Sequence, residues 1–356
     1  MISIHPRLYC RADLRILKHV NWHPRDDRVY FDEGPHKYYI DGDRRGYISV
    51  TTYIDAYLFH NPFDKHAALN ASLLKDKYRG MSRKQISQYW KRTNLQSQLD
   101  GTKMHANIEY YNNGFPYYNH DKEWFLYECF EADFPYLVAL RFRTEWVIYD
   151  DELCIPGSID MVYRDPNNPK HLILYDWKRC KVINTDPSKA YGKRGTVPGI
   201  SDHLPDLNFW HYAFQLNIYR AIIEKNYGYH VSEMYILCLH PSQEMTYLRY
   251  KIERMDREIE RIFELRRQEV EGWKLCPETS PCNQRVFEPG ETFVRETCKW
   301  RQKCAGCSSK MALDQEVYRN EACDHNICEE CYLERYQKHG FKVICEDCVL
   351  ENQSPR

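Results

Sequence analysis

The chain has 356 residues, 43% hydrophobic and 28% charged, with a formal net charge of −1. That length accommodates one sizeable core plus a smaller module. The near-zero charge excludes a globally basic nucleic-acid binder, so any such site must be local. No apolar run approaches the 18 residues of a membrane span, and MISIHPRLYCRADLR lacks the apolar core of a secretory signal. The 15 cysteines crowd toward the C-terminus in C-x-x-C spacings, which favours metal over disulfides and a reducing, intracellular setting in nucleus or cytoplasm.

Residues 1–28 are polar and basic (Arg7, Arg11, Arg15, Lys18, Arg25) without a clear period. They read as a loosely held arm, solvated or in contact with nucleic acid. Short strands follow at Val29–Phe31, Lys37–Ile40 and Tyr47–Val50, with a turn at Asp41–Asp43. Ser49-Val50-Thr51-Thr52 opens a helix with a hydroxyl as N-cap. Residues 63–97 read as helices rich in Lys, Arg and Gln, either a solvated face or the flank of a strand channel.

Asp100 is expected to cap the next helix and Gly114 to end it. Within it His105 and Glu109, four apart, share a face. Residues 121–132 form a short aromatic-rich helix, and 143–149 a strand that carries Glu145. Gly157–Lys178 then reads as a hairpin. Its first strand holds Asp160 in an apolar run, and its turn is Asp165-Pro166-Asn167-Asn168-Pro169. Its second strand, Leu172–Tyr175, ends in Asp176-Trp177-Lys178, where Asp176 and Lys178 point to one face. Carboxylates suit hard cations such as Mg2+ or Mn2+, and a lysine beside them can offset charge growing on a phosphate. The hairpin end is either this or a solvated strand end.

The long loop 179–205 carries Lys181, Lys189, Lys193 and Arg194, a character suited to a phosphate backbone. A helix over 206–227, closed by Gly228, places Gln215 and Tyr219 on one face. Strands at Met234–Leu239 and Thr246–Ile252 follow. A charged helix, Glu253–Gly272, is expected to lead away from the domain.

Taken together, Gly157-Ser158-Ile159-Asp160, Asp176-Trp177-Lys178, the upstream Gly101-Thr102-Lys103-Met104-His105 and the Q-x-x-x-Y of Gln215 and Tyr219 resemble the PD-(D/E)XK nucleases. The ordered set is similar to their RecB-like branch. The S-V-T-T entry followed by Phe63 also resembles that branch and the mitochondrial genome maintenance exonuclease. The resemblance covers about residues 30–300. It implies an α/β, restriction-endonuclease-like core with a mixed central sheet flanked by helices. It also implies a metal-dependent deoxyribonuclease in replication, repair or recombination, an exonuclease acting on DNA that is single-stranded or has free ends. Under it, His105, Asp160, Asp176 and the main-chain carbonyl of Trp177 hold Mg2+ or Mn2+, with Glu109 acting through water. Lys178 orients the attacking water, Gln215 and Tyr219 orient the strand, and Glu145 has a supporting role.

Beyond residue 300, Cys304, Cys307, Cys323, His325, Cys328, Cys331, Cys345 and Cys348 supply eight ligands, enough for two tetrahedral Zn2+. Their C3HC4 order over residues 301–350, ahead of a short tail at 351–356, resembles a RING finger. That resemblance implies one zinc on Cys304, Cys307, Cys328 and Cys331, and the other on Cys323, His325, Cys345 and Cys348. It also implies a protein partner. The alternatives are a RING-type ubiquitin ligase or scaffold whose nuclease-like domain only binds nucleic acid, and a docking or dimerising module. Some RecB-like nucleases carry an iron–sulfur clamp. Here Cys10, Cys276, Cys282 and Cys298 lack the C-x-x-C such a clamp needs, so no cluster is expected.

Overall fold

A computed structural model describes residues 16–32, 37–43, 46–61, 65–244, 246–274, 300–303, 310–312, 317–319 and 326–328. The chain divides into two compact units, Met1–Arg266 and Arg267–Arg356. Among the described residues no helix is long and apolar enough to cross a membrane.

The first unit is α/β. It opens with α1 (Ile16–Val20), an antiparallel pair β1 (Val29–Asp32) and β2 (Lys37–Ile40), α2 (Val50–Tyr53) and α3 (Lys65–Leu73). Its centre is a mixed sheet of five strands that lie side by side in chain order. The strands are β3 (Arg141–Asp150), β4 (Ile155–Asp165), β5 (Asn168–Lys178), β6 (His230–Cys238) and β7 (Leu248–Lys251). All neighbours pair antiparallel except β5 and β6, which are parallel. The parallel pair needs a crossover, and α6 (Asn208–Asn226) provides it. The β4–β5 turn is tighter than the five-residue turn expected from sequence. Asp165 pairs with Asn168, so only Pro166 and Asn167 lie between the strands.

Both sheet faces are covered, and the strand residues alternate accordingly. Leu172, Leu174 and Ile236 pack with Phe214, Ile218 and Ile222 of α6 on one face. Ile173, Tyr175 and Leu237 pack on the other face with Met104 and Ile108 of α4 (Arg83–Asn112) and with Tyr127 and Phe130 of α5 (Lys122–Asp133).

Three expectations are corrected. Asp100 is not a cap, because α4 runs unbroken from Arg83 to Asn112. Its start is a capping box: Ser82 Oγ accepts from Gln85 N, and Gln85 Oε1 accepts from Ser82 N. Gly101 costs such a helix only about 1 kcal/mol against Ala, too little to break it. Asp100 instead accepts from Gln96 and pairs with Arg179 Nη2 at 3.1 Å. Past the C-cap Asn113, Gly114 has φ +77°, the left-handed residue that ends the helix.

Second, residues 16–28 are not a loose arm. Asp26 is buried, and its carboxylate accepts from Arg143 Nη1 at 2.7 Å, Arg143 Nη2 at 3.2 Å and Trp146 Nε1 at 3.1 Å. The Arg25 guanidinium lies 4.1 Å from the Tyr149 ring centroid. Third, α7 (Asp256–Lys274) does not lead away. Its Ile259 and Ile262 are buried in the α6-side core. A charged helix can still present an apolar stripe, and this one does.

In the second unit two short antiparallel pairs are described. Trp300–Lys303 pairs with Lys310–Ala312, and Val317–Arg319 pairs with Asn326–Cys328. Of the zinc candidates, Cys328 is described as a strand residue, and Cys304, Cys307, Cys323, His325, Cys331, Cys345 and Cys348 lie outside the described residues. So do Cys10, Cys276, Cys282, Cys298 and Phe63.

Candidate functional site

Asp160 and Asp176 meet because of where one ladder stops. β4 and β5 pair from Asp165↔Asn168 up to Met161↔Tyr175 and no further. The next residues across are Asp160 and Asp176. β5 continues beside β6 as far as Lys178↔Cys238. Where the Trp177 N–H would meet β4 it donates instead to Asp160 Oδ2, at 2.6 Å. The alternation of β4 also slips here: Ile159 and Val162 both pack on the α6 side, while Met161 packs on the other.

Asp160 faces α4 and β3. Its Oδ1 lies 3.5 Å from His105 Nδ1, and the same nitrogen lies 3.5 Å from Glu145 Oε1. Ligand atoms of His105, Glu145 and Asp160 all fall within 4.8 Å of one another. Two ligands each about 2.1 Å from a hard cation sit about 3–4 Å apart, and the two 3.5 Å separations from His105 fall in that range. Two carboxylates suit Mg2+ or Mn2+, and the imidazole weights the choice toward Mn2+.

Glu145 has φ +42°, in the left-handed region, within a strand. Such a non-glycine residue costs on the order of 1–3 kcal/mol and is held by its surroundings. Its Oε2 accepts from Ser158 Oγ at 3.2 Å. Sequence reasoning gave Glu145 a supporting role, whereas the structure puts its carboxylate among the convergent ligand atoms. The available signal was its place one strand before the hairpin.

Asp176 is held from the opposite face. Gln215 Nε2 of α6 donates to its Oδ1 at 2.8 Å, and Lys178 Nζ lies 2.6 Å from its Oδ2. Gln215 Nε2 also donates to the Tyr219 hydroxyl at 3.3 Å. The Lys178 ammonium sits 4.8 Å from the Tyr212 ring centroid, a cation–π contact. Tyr212 was missed in the sequence, although it lies on the α6 face of Gln215 and Tyr219, three and seven residues earlier.

Glu109 is buried one turn from His105 and lies outside the convergent triad. The Trp177 amide is placed by its bond to Asp160. Lys181, Lys189, Lys193 and Arg194 are all exposed on the loop after β5, and Arg194 donates to the carbonyl of His203.

Charge coupling in the site is strong. Burial alone would lower the His105 pKa, but the carboxylates of Asp160 and Glu145 outweigh it and raise it to about 10. Burial likewise opposes the charge on Asp160, yet His105, Lys178 and the Trp177 amide hold its carboxyl below the usual range. Asp176 is pushed up to about 6 by burial, with Lys178 only partly offsetting it and Asp160 adding repulsion. Lys178, despite burial, is held above the ordinary lysine value by Asp176 and Asp160.

Gly157 joins two of these elements. A Cβ there would lie 2.3 Å from Tyr219 Cε1 and 3.0 Å from Cζ. Only glycine lets the Tyr219 ring lie against β4. Gly157→Ala is expected to destabilise the fold by about 1–3 kcal/mol, the range for overpacking, and to displace Gln215 from Asp176. Thermal melts of Gly157→Ala, Tyr219→Leu and the double variant check this. The two substitutions should be strongly non-additive, and strict additivity would count against the contact.

No family model and no curated protein matches the chain. Among solved structures it is similar to a "Putative exonuclease" from Eubacterium rectale at 14% identity, covering 70% of this chain and 91% of that one, with a TM-score of 0.30. At that score the likeness carries no argument about function.

Proposed function

We propose that the chain is a metal-dependent phosphodiester hydrolase acting on DNA. The observation that carries this reading is the convergence of His105, Glu145 and Asp160 beside the Lys178–Asp176 pair at a split between two strands. A bound Mn2+ or Mg2+ would supply Lewis acidity, making water a better nucleophile near neutral pH and drawing charge from the phosphate. His105, Glu145 and Asp160 would hold it, with Asp176 adjacent.

The rest falls to the chain itself. The oxygen of water forms a new bond to phosphorus and gives up a proton, one bridging P–O bond breaks, and the leaving oxygen takes up a proton. The Lys178 ammonium offsets negative charge on the phosphate and orients the water. Gln215 fixes Asp176, and Tyr212 confines the lysine. Both act by positioning. We further propose that substrates are single-stranded or end-bearing, that the exposed Lys181, Lys189 and Lys193 contact the backbone, and that the C-terminal cysteine set binds two Zn2+ for a protein partner.

The test compares end-labelled linear single strands, linear duplex and closed circular single strands with Mn2+ or Mg2+, for wild type and Asp160→Ala. Cleavage of linear substrates only, absent in the variant, is the expected result. Cutting of the circle would make the enzyme an endonuclease with the same site. Cleavage that survives in Asp160→Ala would sink the assignment.

A further inference from the structure

Two cysteines that the proposed chemistry does not use lie at the end of the same strand pair. Cys180 Sγ and Cys238 Sγ are 3.6 Å apart. Their backbones are neighbours for a structural reason. Lys178 and Cys238 are the last register partners of β5 and β6, and Leu239 N donates to the Lys178 carbonyl at 2.9 Å. Cys180 follows two residues on. Closing the gap to the disulfide length of about 2.05 Å brings the two sulfurs together by roughly 1.5 Å.

The two thiols are not equivalent. Cys180 is half-buried, whereas Cys238 is fully buried. The Gln243 amide donates to Cys238 Sγ at 3.0 Å, which favours its thiolate. Access favours oxidation at Cys180, whose thiol is pushed up by the neighbouring Cys238 and by burial, while thiolate character favours Cys238, and whichever sulfur is oxidised has the other 3.6 Å away to resolve it.

We propose that Cys180 and Cys238 are a reversible oxidation site that closes a disulfide behind Lys178. A peroxide oxidises one of the two sulfurs, as its thiolate, to the sulfenic acid and is itself reduced, releasing one water from hydrogen peroxide. The other cysteine attacks that sulfur, the S–O bond breaks, and the hydroxide leaves as water after taking the proton the attacking cysteine gave up. A dithiol reductant reverses the link by exchange. The bond ties the segment after Lys178 to the end of β6. Its neighbour Arg179 already bridges Asp100 at 3.1 Å and Glu123 at 2.6 Å. The lysine strand end thereby loses its remaining freedom, and on the hydrolase reading above the oxidised protein turns over more slowly.

The experiment treats the full chain with hydrogen peroxide, blocks free thiols, digests, and maps cross-links by mass spectrometry. Cleavage is measured in parallel, before oxidation, after it, and after dithiothreitol. The expected result is a Cys180–Cys238 linked peptide that disappears on reduction, is absent in Cys180→Ser and Cys238→Ala, and accompanies a severalfold, reversible loss of cleavage. Either cysteine recovered only as sulfinic or sulfonic acid, or linked elsewhere, overturns the proposal. A link with unchanged cleavage overturns its regulatory half. A link in a protein that shows no cleavage even when reduced leaves the oxidation site standing and refutes the hydrolase reading instead.

Discussion

Lys178→Met is expected to lower the rate of the proposed metal-dependent cleavage about 10²–10³-fold, the loss on removing one preorganised charge-stabilising donor. The fall should appear in kcat. On the hydrolase reading a DNA strand would be held by other groups, and the convergent ligand atoms belong to His105, Glu145 and Asp160. Methionine keeps the apolar stem of the lysine and removes only its ammonium. The fold should survive the change. Asp176 retains the 2.8 Å hydrogen bond from Gln215, and its carboxyl, already pushed up to about 6 by burial, can take up a proton once the ammonium is gone. Single-turnover rates and a thermal melt together make the test. A variant that cleaves at the wild-type rate removes Lys178 from the chemistry. One that is slow only because it has unfolded shows a collapsed melt.

Asp26→Ala destabilises the first unit by about 3–5 kcal/mol at neutral pH, the cost of stranding one member of a buried ion pair. Arg143 would be left buried without its carboxylate, and Trp146 would lose the acceptor of its indole N–H. The pH dependence has a definite sign. Burial would raise the Asp26 pKa, but the hydrogen bonds and charge of Arg143 outweigh it, so the folded value lies below the ordinary one. The stabilisation is therefore complete above the unfolded value of about 3.9 and is lost as pH falls through the lower folded value. Urea unfolding of wild type and variant should show a constant gap from pH 8 to about 5 that narrows below about 4. A gap unchanged down to pH 3 would mean that the carboxylate charge is not what holds residues 16–28 to the sheet.

Two kinds of information were legible at different levels. Elements with strong local signals were readable from residues alone: the hairpin around Asp160 and Asp176, the α6 helix carrying Gln215 and Tyr219, and the Gly114 stop. Each depends on period, turn chemistry or a left-handed glycine, which act over a few residues. The pairing of Asp176 with Lys178 was likewise implicit in the two-residue repeat of a strand. The sequence by itself therefore determined which side chains share a strand or helix face.

Only the tertiary structure decided what those faces meet. Glu145 enters the ligand group through a left-handed backbone angle opposite Asp160, and no periodicity encodes that. Glu109, which by spacing matched His105, is buried and lies outside the convergent ligand atoms. Asp100 looked like a cap because caps are local, yet the helix ran through it, anchored from Ser82 and by Met104 and Ile108 packed far along its length. The Gly157–Tyr219 contact and the Cys180–Cys238 pair join residues 62 and 58 positions apart by the numbering. Contacts of that range arise when a parallel crossover returns the chain beside itself, so the topology of the sheet, not the local sequence, brings them together.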